Sequence, residues 1–391
     1  MEINKEFDKV IDRNGTNCCK WDNRFEVFGE DVIPLWVADM DFKAPSKVLD
    51  AIKERVDHGV LGYTYMKGDD YKPFADYMDR KYAIKINPDE ILNTTGVVSA
   101  IALSILANTN EGDAVMIQTP VYHKFKEIIE QNNRKVVVNP LMNKGGVYCI
   151  DFIDFEKKII ENNVKMVILS NPHNPVGRVW MLEELELMVD ICQRNNVIIF
   201  SDEIHADIVF SGNNYNSMLY FRQVYENIII ALSPSKTFNL ASLYFSMVIT
   251  PNEKIKEKIA SWISRVCIPG VNALNYVGAM AAYEHGEQWL DEMLKYVYDN
   301  MTYVIKFFKE NMPEVKAIRP QGTYLMWLDF TRVFKTSKEL DEFLINRAKV
   351  GLNSGASFGE EGEGFARLNA ACSRSTLEEA LNRILNAYKN R

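Results

Sequence analysis

The chain has 391 residues, of which 47% are hydrophobic and 25% are charged, proportions typical of a globular protein with a large core and more than one domain. Its net charge of -8 at pH 7 argues against a general affinity for nucleic acid or anionic membranes. It contains no uncharged apolar run of the roughly eighteen residues that a membrane helix needs, and residues 1–8 lack the basic and apolar regions of a signal peptide. We therefore expect a cytoplasmic enzyme that acts on small molecules.

Between about residues 90 and 250, short β-branched runs alternate with amphipathic segments. This alternation predicts an α/β fold, with a mostly parallel sheet that helices cover on both faces. Ligands of such sheets bind at the carboxyl ends of the strands. The predicted strands are 114–118, 135–139, 165–170, 197–201, 228–232 and 246–250, and the helical patterns between them include 121–133 and 181–195.

The C-terminal part has a different pattern. Residues 287–312 are typical of one long helix, residues 322–329 alternate like a strand, and residues 375–389 are again helical. We predict a large domain over 45–286 and a smaller α/β domain made of 287–391 together with the N-terminal segment 1–44.

Three segments that follow predicted strands, or precede a helix, carry residues suited to binding. The small-residue turn at 93–99 opens an apolar helix, whose free N–H groups suit a phosphate, although many helices begin this way with nothing bound. Tyr122 suits stacking on a flat ring, or is plain core. Asn174 lies in a proline-rich loop and is either a turn residue or an amide donor to a ligand.

Asp202 and Lys236 suggest one cofactor. Asp202 caps the next helix or places a carboxylate beside a pyridine nitrogen. Lys236 follows a strand and lies in the run Ser233-Pro-Ser-Lys-Thr-Phe-Asn239, where a primary amine stands between hydroxyls. Pyridoxal phosphate (PLP) needs an amine for its covalent attachment, and hydroxyls suit its phosphate. A lysine alone is more often a solvated surface residue, so the combination carries the prediction.

The six cysteines, at positions 18, 19, 149, 192, 267 and 372, show no C-x-x-C spacing. Cys18 and Cys19 with His58 fit no zinc pattern. We expect reduced cysteines and no metal.

The chain resembles class I/II aminotransferase-like PLP enzymes of fold type I, and within them the MalY/PatB-type carbon–sulfur lyases, the cystathionine β-lyases. The resemblance covers nearly the whole chain. It implies a mostly parallel seven-stranded sheet flanked by helices in the large domain. The motifs that carry it are Trp36-Val-Ala-Asp-Met-Asp-Phe42, Gly62-Tyr-Thr-Tyr65, Asn171-Pro-His-Asn-Pro-Val-Gly-Arg-Val-Trp180, Ser201-Asp-Glu-Ile-His-Ala-Asp207, Ser233-Pro-Ser-Lys-Thr-Phe-Asn-Leu-Ala241, Gln321-Gly-Thr-Tyr-Leu325 and Arg367-Leu-Asn-Ala-Ala-Cys-Ser-Arg374.

The resemblance also implies a role for each site residue. Lys236 would carry PLP, Asp202 would pair with the ring nitrogen, and Tyr122 would stack on the ring. Asn174 and His205 would lie near the ring hydroxyl. The phosphate would be held by Gly96, Val97, Val98, Ser233 and Ser235. The substrate would meet Arg374, which would clamp its carboxylate, together with Asn174 and Asp39. Tyr63 would reach the phosphate of a neighbouring subunit, which implies a homodimer with shared active sites.

The sequence departs from the family pattern in three ways. After the lysine, 242–245 offers no arginine for the phosphate and has Ser242 where a glycine is common. Ser373 replaces the usual proline before Arg374.

The same residues are compatible with three alternative functions. The favoured prediction is a β-lyase that releases a thiol from cystathionine or another cysteine S-conjugate. The alternatives are an aminotransferase and, with less support, a PLP-bound regulatory protein.

Overall fold

The computed structural model describes residues 6–391. Residues 1–5, which belong to the predicted N-terminal segment 1–44 and to the start 1–8, lie outside the described residues. The predicted α/β class is confirmed. The strands are β1 (Ile33–Pro34), β2 (Ile91–Thr94), β3 (Ala114–Ile117), β4 (Lys135–Val138), β5 (Met142–Lys144), β6 (Val147–Cys149), β7 (Val164–Ser170), β8 (Ile198–Asp202), β9 (Ile228–Leu232), β10 (Ser246–Ile249), β11 (Lys316–Ile318), β12 (Leu325–Asp329), β13 (Val350–Gly351), β14 (Asn353–Ser354) and β15 (Phe365–Asn369).

The helices include every helical pattern named from the sequence, with ends shifted by up to three residues. They are α1 (Arg24–Phe28), α2 (Ser46–Asp57), α3 (Lys72–Tyr82), α4 (Val97–Asn108), α5 (Lys124–Gln131), α6 (Phe152–Asn162), α7 (Leu182–Arg194), α8 (Pro234–Thr237), α9 (Glu253–Arg265), α10 (Ala273–His285), α11 (Glu287–Asn311), α12 (Ser337–Glu342) and α13 (Arg374–Lys389).

The main sheet has seven strands in the order β2-β10-β9-β8-β7-β3-β4. All neighbours pair in parallel except β10, which is antiparallel to both β2 and β9. The carboxyl ends of the other six strands and the start of β10 therefore lie at one edge. Of these seven strands, β2 alone was not among the predicted strands. This carboxyl edge is where the fold brings distant segments together.

Helices cover both faces of the main sheet because successive strand side chains point to opposite sides. Val115 and Ile117 belong to the core under α4, α5 and α9, whereas Ala114 and Met116 belong to the core on the other face. The core that contains Ala114 and Met116 continues into the C-terminal region. The central strands are therefore buried on both faces, which accounts for their near-continuous apolar runs.

A second sheet, with the order β11-β12-β15-β14, is antiparallel and packs near α11 and α13. The N-terminal segment joins this region, since Ile33 pairs in parallel with Val350. The domain division at residues 44 and 286 stays a prediction. Among residues 6–391, no helix is long and apolar enough to cross a bilayer, and the six cysteines are unpaired.

Candidate active site

Lys236 lies on the short helix α8, immediately beyond the end of β9. Ser233 caps this helix, with its Oγ accepting a hydrogen bond from the backbone N–H of Ser235 at 3.1 Å. Nζ of Lys236 donates a hydrogen bond at 2.6 Å to the carbonyl of Ala38, a residue 198 positions earlier in the sequence. Burial lowers the pKa of Lys236 to about 8, although Asp39 and Asp202 act in the opposite direction. An appreciable fraction of this amine is therefore uncharged near neutral pH.

Asp202 ends the neighbouring strand β8 and is only 8% exposed. Its Oδ1 accepts a hydrogen bond from the backbone N–H of Ile204 at 3.1 Å, and it forms no ion pair among the described residues. Burial raises the pKa of Asp202 to about 7, an effect that Lys236 partly offsets. A cation placed against this carboxylate would restore its charge, which is what a protonated pyridine nitrogen does.

Asn174, His205 and Tyr122 lie in the same cluster. Asn174 is buried in the loop after β7, and its Oδ1 accepts a hydrogen bond from Nη1 of Arg367 at 3.0 Å. His205 is 4% exposed, its Nδ1 has no hydrogen-bond partner in the protein, and burial lowers its pKa well below the ordinary value. The pKa of Tyr122 is raised by burial and modulated by Arg367 and Asp202.

The predicted phosphate residues form a turn at the same edge of the sheet. Gly96 has a φ of 125°, which favours glycine, and the first turn of α4 has no side-chain cap, so its N–H groups face outward. The backbone N–H of Gly96 donates to Oγ of Ser246 at 3.0 Å, and Oγ of Ser233 donates to Oγ of Ser235 at 2.8 Å. Ser246, at the start of β10, was not predicted. Backbone amides and hydroxyls therefore line this turn. Because 242–245 offers no arginine, these groups would be the ones left to bind a phosphate.

Arg374 does not join the cluster, contrary to its predicted role. Its Nε donates to Oδ1 of Asn300 at 2.8 Å, and its guanidinium lies 4.8 Å from the ring centroid of Tyr303. Both partners belong to α11. The N-cap residue Ser373, whose Oγ accepts from Thr376 N, starts α13 here and directs the arginine toward that helix.

Arg367, seven residues earlier on β15, lies in the cluster instead. Its Nη1 donates to Asn174, its Nη2 donates to the carbonyl of Trp36 at 2.8 Å and to Asn353 at 2.6 Å, and its buried Nε has no partner in the protein. Burial lowers the pKa of Arg367 to about 10, which still leaves it charged at neutral pH. No carboxylate of the described chain pairs with it, so Arg367 is a buried cation that can bind an anionic ligand.

Two further predicted residues have other surroundings. Asp39 forms ion pairs with Nη2 of Arg13 at 2.7 Å and with Nζ of Lys20 at 2.9 Å, so its carboxylate is engaged within the protein. Tyr63 is fully exposed and lies in an exposed stretch with Val60, Leu61 and Tyr65. Within one chain, neither side chain is brought to Asp202 by a described hydrogen bond.

The residues present fit PLP. They provide an amine for covalent attachment, a buried carboxylate that lacks a cation, an unpartnered imidazole nitrogen and a turn of free backbone N–H groups. These features lie at the ends of adjacent strands, where an α/β sheet binds ligands. The buried Arg367 adds an anion-binding group suited to the carboxylate of an amino acid.

Comparisons with known proteins agree with this fit. Residues 30–384 match the family model described as aminotransferase class I and II. The chain is 40% identical over 380 residues to the cystathionine β-lyase PatB of Bacillus subtilis, covering 97% of this chain and 98% of that protein.

Two solved structures share the fold over almost the full length. A PLP-bound protein from Clostridium difficile 630, provisionally named an aminotransferase, superimposes with a TM-score of 0.95 at 40% identity, covering 98% of this chain and 99% of that one. The PLP-bound carbon–sulfur lyase of Staphylococcus hominis, in complex with L-cycloserine, gives a TM-score of 0.92 at 35% identity, covering 98% of both chains.

Proposed function

The chain belongs to the aminotransferase class I and II family, and we propose that it is a PLP-dependent carbon–sulfur β-lyase. Its substrate would be cystathionine or another cysteine S-conjugate, which it would split with water into a thiol, pyruvate and ammonia; for cystathionine the thiol is homocysteine. The relatives' names support this prediction over the aminotransferase alternative, because PatB is named a cystathionine β-lyase and the S. hominis protein a carbon–sulfur lyase.

One observation carries the proposal: two buried ionisable groups and one half-buried amine meet at the sheet edge without an ion-pair partner among the described residues. Asp202 lacks a cation, Arg367 lacks an anion, and the Lys236 amine is held only by a backbone carbonyl. Burying such groups is unfavourable unless a ligand pairs them. A pyridine ring for Asp202, an aldehyde for Lys236 and an amino-acid carboxylate for Arg367 would satisfy all three.

When bound, PLP supplies an electron-withdrawing ring that stabilises negative charge at the Cα of an attached amino acid. Asp202 would hold a proton on the ring nitrogen. Asn174 and the neutral His205 would face the ring hydroxyl, and Tyr122 would cover the ring. The phosphate would be bound by the first turn of α4, with Gly96, Val97 and Val98, and by Ser233 and Ser235.

Lys236 would carry the cofactor at rest and take the Cα proton once the substrate has freed its amine. Nζ would be oriented for this by its hydrogen bond to the carbonyl of Ala38. Arg367, rather than Arg374, would bind the substrate carboxylate, because it lies beside Asn174 with a buried Nε that has no partner in the protein, whereas Arg374 contacts α11. A thiolate leaves readily from the β-carbon, since the pKa of a thiol is about 8.5.

The proposal includes a cytoplasmic homodimer with shared active sites. Tyr63 and its exposed apolar neighbours Val60, Leu61 and Tyr65 support this assembly, because exposed apolar patches commonly mark interfaces. Tyr63 would then reach the phosphate bound by the partner chain.

Subunit mixing tests the shared site. Lys236→Ala subunits, mixed with impaired Tyr63→Ala subunits, would regain activity, because each heterodimer would contain one site with both residues intact. A mixture that stays as inactive as its components, despite subunit exchange verified by native mass spectrometry, would mean that each site is built from one chain.

A steady-state assay tests the activity itself. With cystathionine and no added keto acid, the PLP-loaded protein should release pyruvate, ammonia and thiol continuously in equal amounts. An aminotransferase would stop after one turnover and resume only when a keto acid is added. Stalling without pyruvate would contradict the lyase proposal and leave the PLP site in place.

A further inference from the structure

The segment from Trp36 to Phe42, called here the 36–42 loop, is held mainly by side chains. Each of its carbonyls except that of Asp41 accepts at least one hydrogen bond from a distant side chain. The donors come from the edge of the main sheet, from the C-terminal region and from residues 13 and 20 earlier in the N-terminal segment. They are Arg367 to Trp36, Asn369 to Val37, Lys236 and Tyr324 to Ala38, Asn369 and Lys20 to Asp39, Asn239 and Arg13 to Met40, and Asn239 to Phe42.

Four charged side chains anchor this loop to residues 13–20, which precede it in the N-terminal segment. Lys20 is fully buried, and its Nζ lies 2.9 Å from Asp39 and 3.1 Å from Asp41. Arg13 contacts the same two carboxylates at 2.7 Å and 2.6 Å. Two cations thus face two carboxylates, which cancels the charge of the group, and Trp21 Nε1 adds a hydrogen bond to Asp41 at 3.1 Å.

A buried ion cluster of this kind adds little net stability compared with apolar packing, so its position is the more informative property. Asp39 follows directly after Ala38, whose carbonyl accepts from both Lys236 at 2.6 Å and Tyr324 at 2.9 Å. Arg13 and Lys20 therefore fix the chain one residue away from the atom that orients the lysine.

We propose that Lys20, Arg13, Asp39 and Asp41 are positioning residues for Lys236, which hold the carbonyl of Ala38 against its amine. The inference rests on the proposed role of Lys236. It gives Asp39 a place in the site through the lysine rather than through the substrate. Arg367 also donates a hydrogen bond to this loop, at the carbonyl of Trp36. The four charged residues would therefore help to position both Lys236 and Arg367, the two side chains that would contact the amino acid.

The charges facing Lys236 make the proposal measurable. They are Asp39 on the loop, Asp202 at the end of β8, Arg367 on β15 and Lys20 in the N-terminal segment, with His205 nearby. Of these, Asp39 and Asp202 favour the charged amine, whereas Arg367 and Lys20 oppose it. Removing Asp39 or Lys20 should therefore move the pKa of Lys236 in opposite directions.

The experiment measures how fast acetic anhydride acetylates Lys236 as a function of pH. The full-length protein is stripped of cofactor, and the labelled Lys236 peptide is quantified by mass spectrometry. Only the uncharged amine reacts, so the profile reports the pKa of Lys236. Asp39→Asn should lower the midpoint by about half a unit or more, and Lys20→Met should raise it similarly. The midpoint of the double variant should lie close to that of the wild-type protein.

Arg24→Met is the matched control. Arg24 is a buried cation of the same N-terminal segment, but it pairs with Asp31 at 2.9 Å and has no described contact with the 36–42 loop. Its midpoint should stay at the wild-type value.

Asp39→Asn is the decisive variant if Lys20→Met fails to fold. Mere loosening of the loop would expose Lys236 and raise its pKa toward the ordinary value, which is opposite to the predicted fall. A rise in Asp39→Asn, or a shift no larger than that of Arg24→Met, would overturn the proposal. The measurement needs neither substrate nor turnover, so it stands or fails independently of the lyase assay.

Discussion

The protein holds two groups of buried charges that differ in how they are paired. In the N-terminal cluster, Lys20 and Arg13 neutralise Asp39 and Asp41. At the sheet edge, Asp202 and Arg367 form no ion pair among the described residues. The pKa values follow this difference: burial acts to raise the pKa of Asp39, but Lys20 and Arg13 bring it below the ordinary value, whereas burial raises the pKa of Asp202 to about 7.

The comparison separates groups that hold the chain from groups that bind a ligand. A carboxylate with two cations is satisfied by the fold itself. A buried carboxylate or guanidinium without a counter-charge destabilises the fold until a ligand supplies one. Perturbed groups of this second kind cluster at functional sites, and here they meet at the carboxyl edge of the sheet.

The largest effect is expected for Lys236→Ala. No other amine in the described chain lies at this position, so the variant should lose the visible absorbance of bound PLP after dialysis and lose nearly all turnover. Arg24→Met would remove a buried cation that pairs with Asp31 and has no described contact with the 36–42 loop, and it should retain the bound cofactor. A coloured, active Lys236→Ala protein would show that the anchor lies elsewhere.

Asp202→Asn should lower kcat by about a hundredfold or more while some PLP still binds. The neutral amide has nearly the same shape but cannot keep a proton on the ring nitrogen, and each factor of ten corresponds to about 1.4 kcal/mol. Pre-steady-state measurement of Cα deuterium exchange would locate the loss in proton removal. A kcat within about twofold of wild type would rule out this role.

The same substitution should stabilise the protein without cofactor. The pKa of Asp202 is about 7 in the folded chain against 3.8 as the reference value, so the folded state binds more protons between these values and loses stability as pH rises from about 4 to about 7. At pH 8, cofactor-free Asp202→Asn should therefore melt higher than wild type, and the difference should vanish below about pH 4. Asp39→Asn should melt lower at pH 8, because it breaks a paired cluster. An Asp202→Asn variant that is less stable at pH 8 would contradict the unpaired description.

Much of the sheet edge could be predicted from sequence because its residues follow strands directly. Asn174, Asp202 and Lys236 each come one to four residues after an apolar β-branched run, and parallel strands bring such positions together. The seven-stranded sheet of fold type I is likewise confirmed.

The parts that were missed depend on long-range geometry. Arg367 and Arg374 stand in one short motif, and only the fold shows that Arg367 lies on β15 and donates to Asn174 while Arg374 begins α13. The carbonyl of Ala38 carries no sequence signal, because a backbone acceptor has no residue type, and only the fold shows that the hydroxyl of Tyr324 donates to it. Asp39 was predicted to meet the substrate, and its two cationic partners were invisible without the fold.

The assignment of Arg367 as the carboxylate-binding group is tested most directly by comparing Arg367→Lys with Arg374→Lys in the cystathionine assay. Arg367→Lys should raise KM at least about tenfold, because a planar donor that forms charged hydrogen bonds of about 1.5 to 3 kcal/mol is replaced by a point charge. Arg374→Lys should leave KM within about twofold of wild type, since its guanidinium contacts Asn300 and Tyr303. The reverse result, with KM raised in Arg374→Lys and unchanged in Arg367→Lys, would contradict the account.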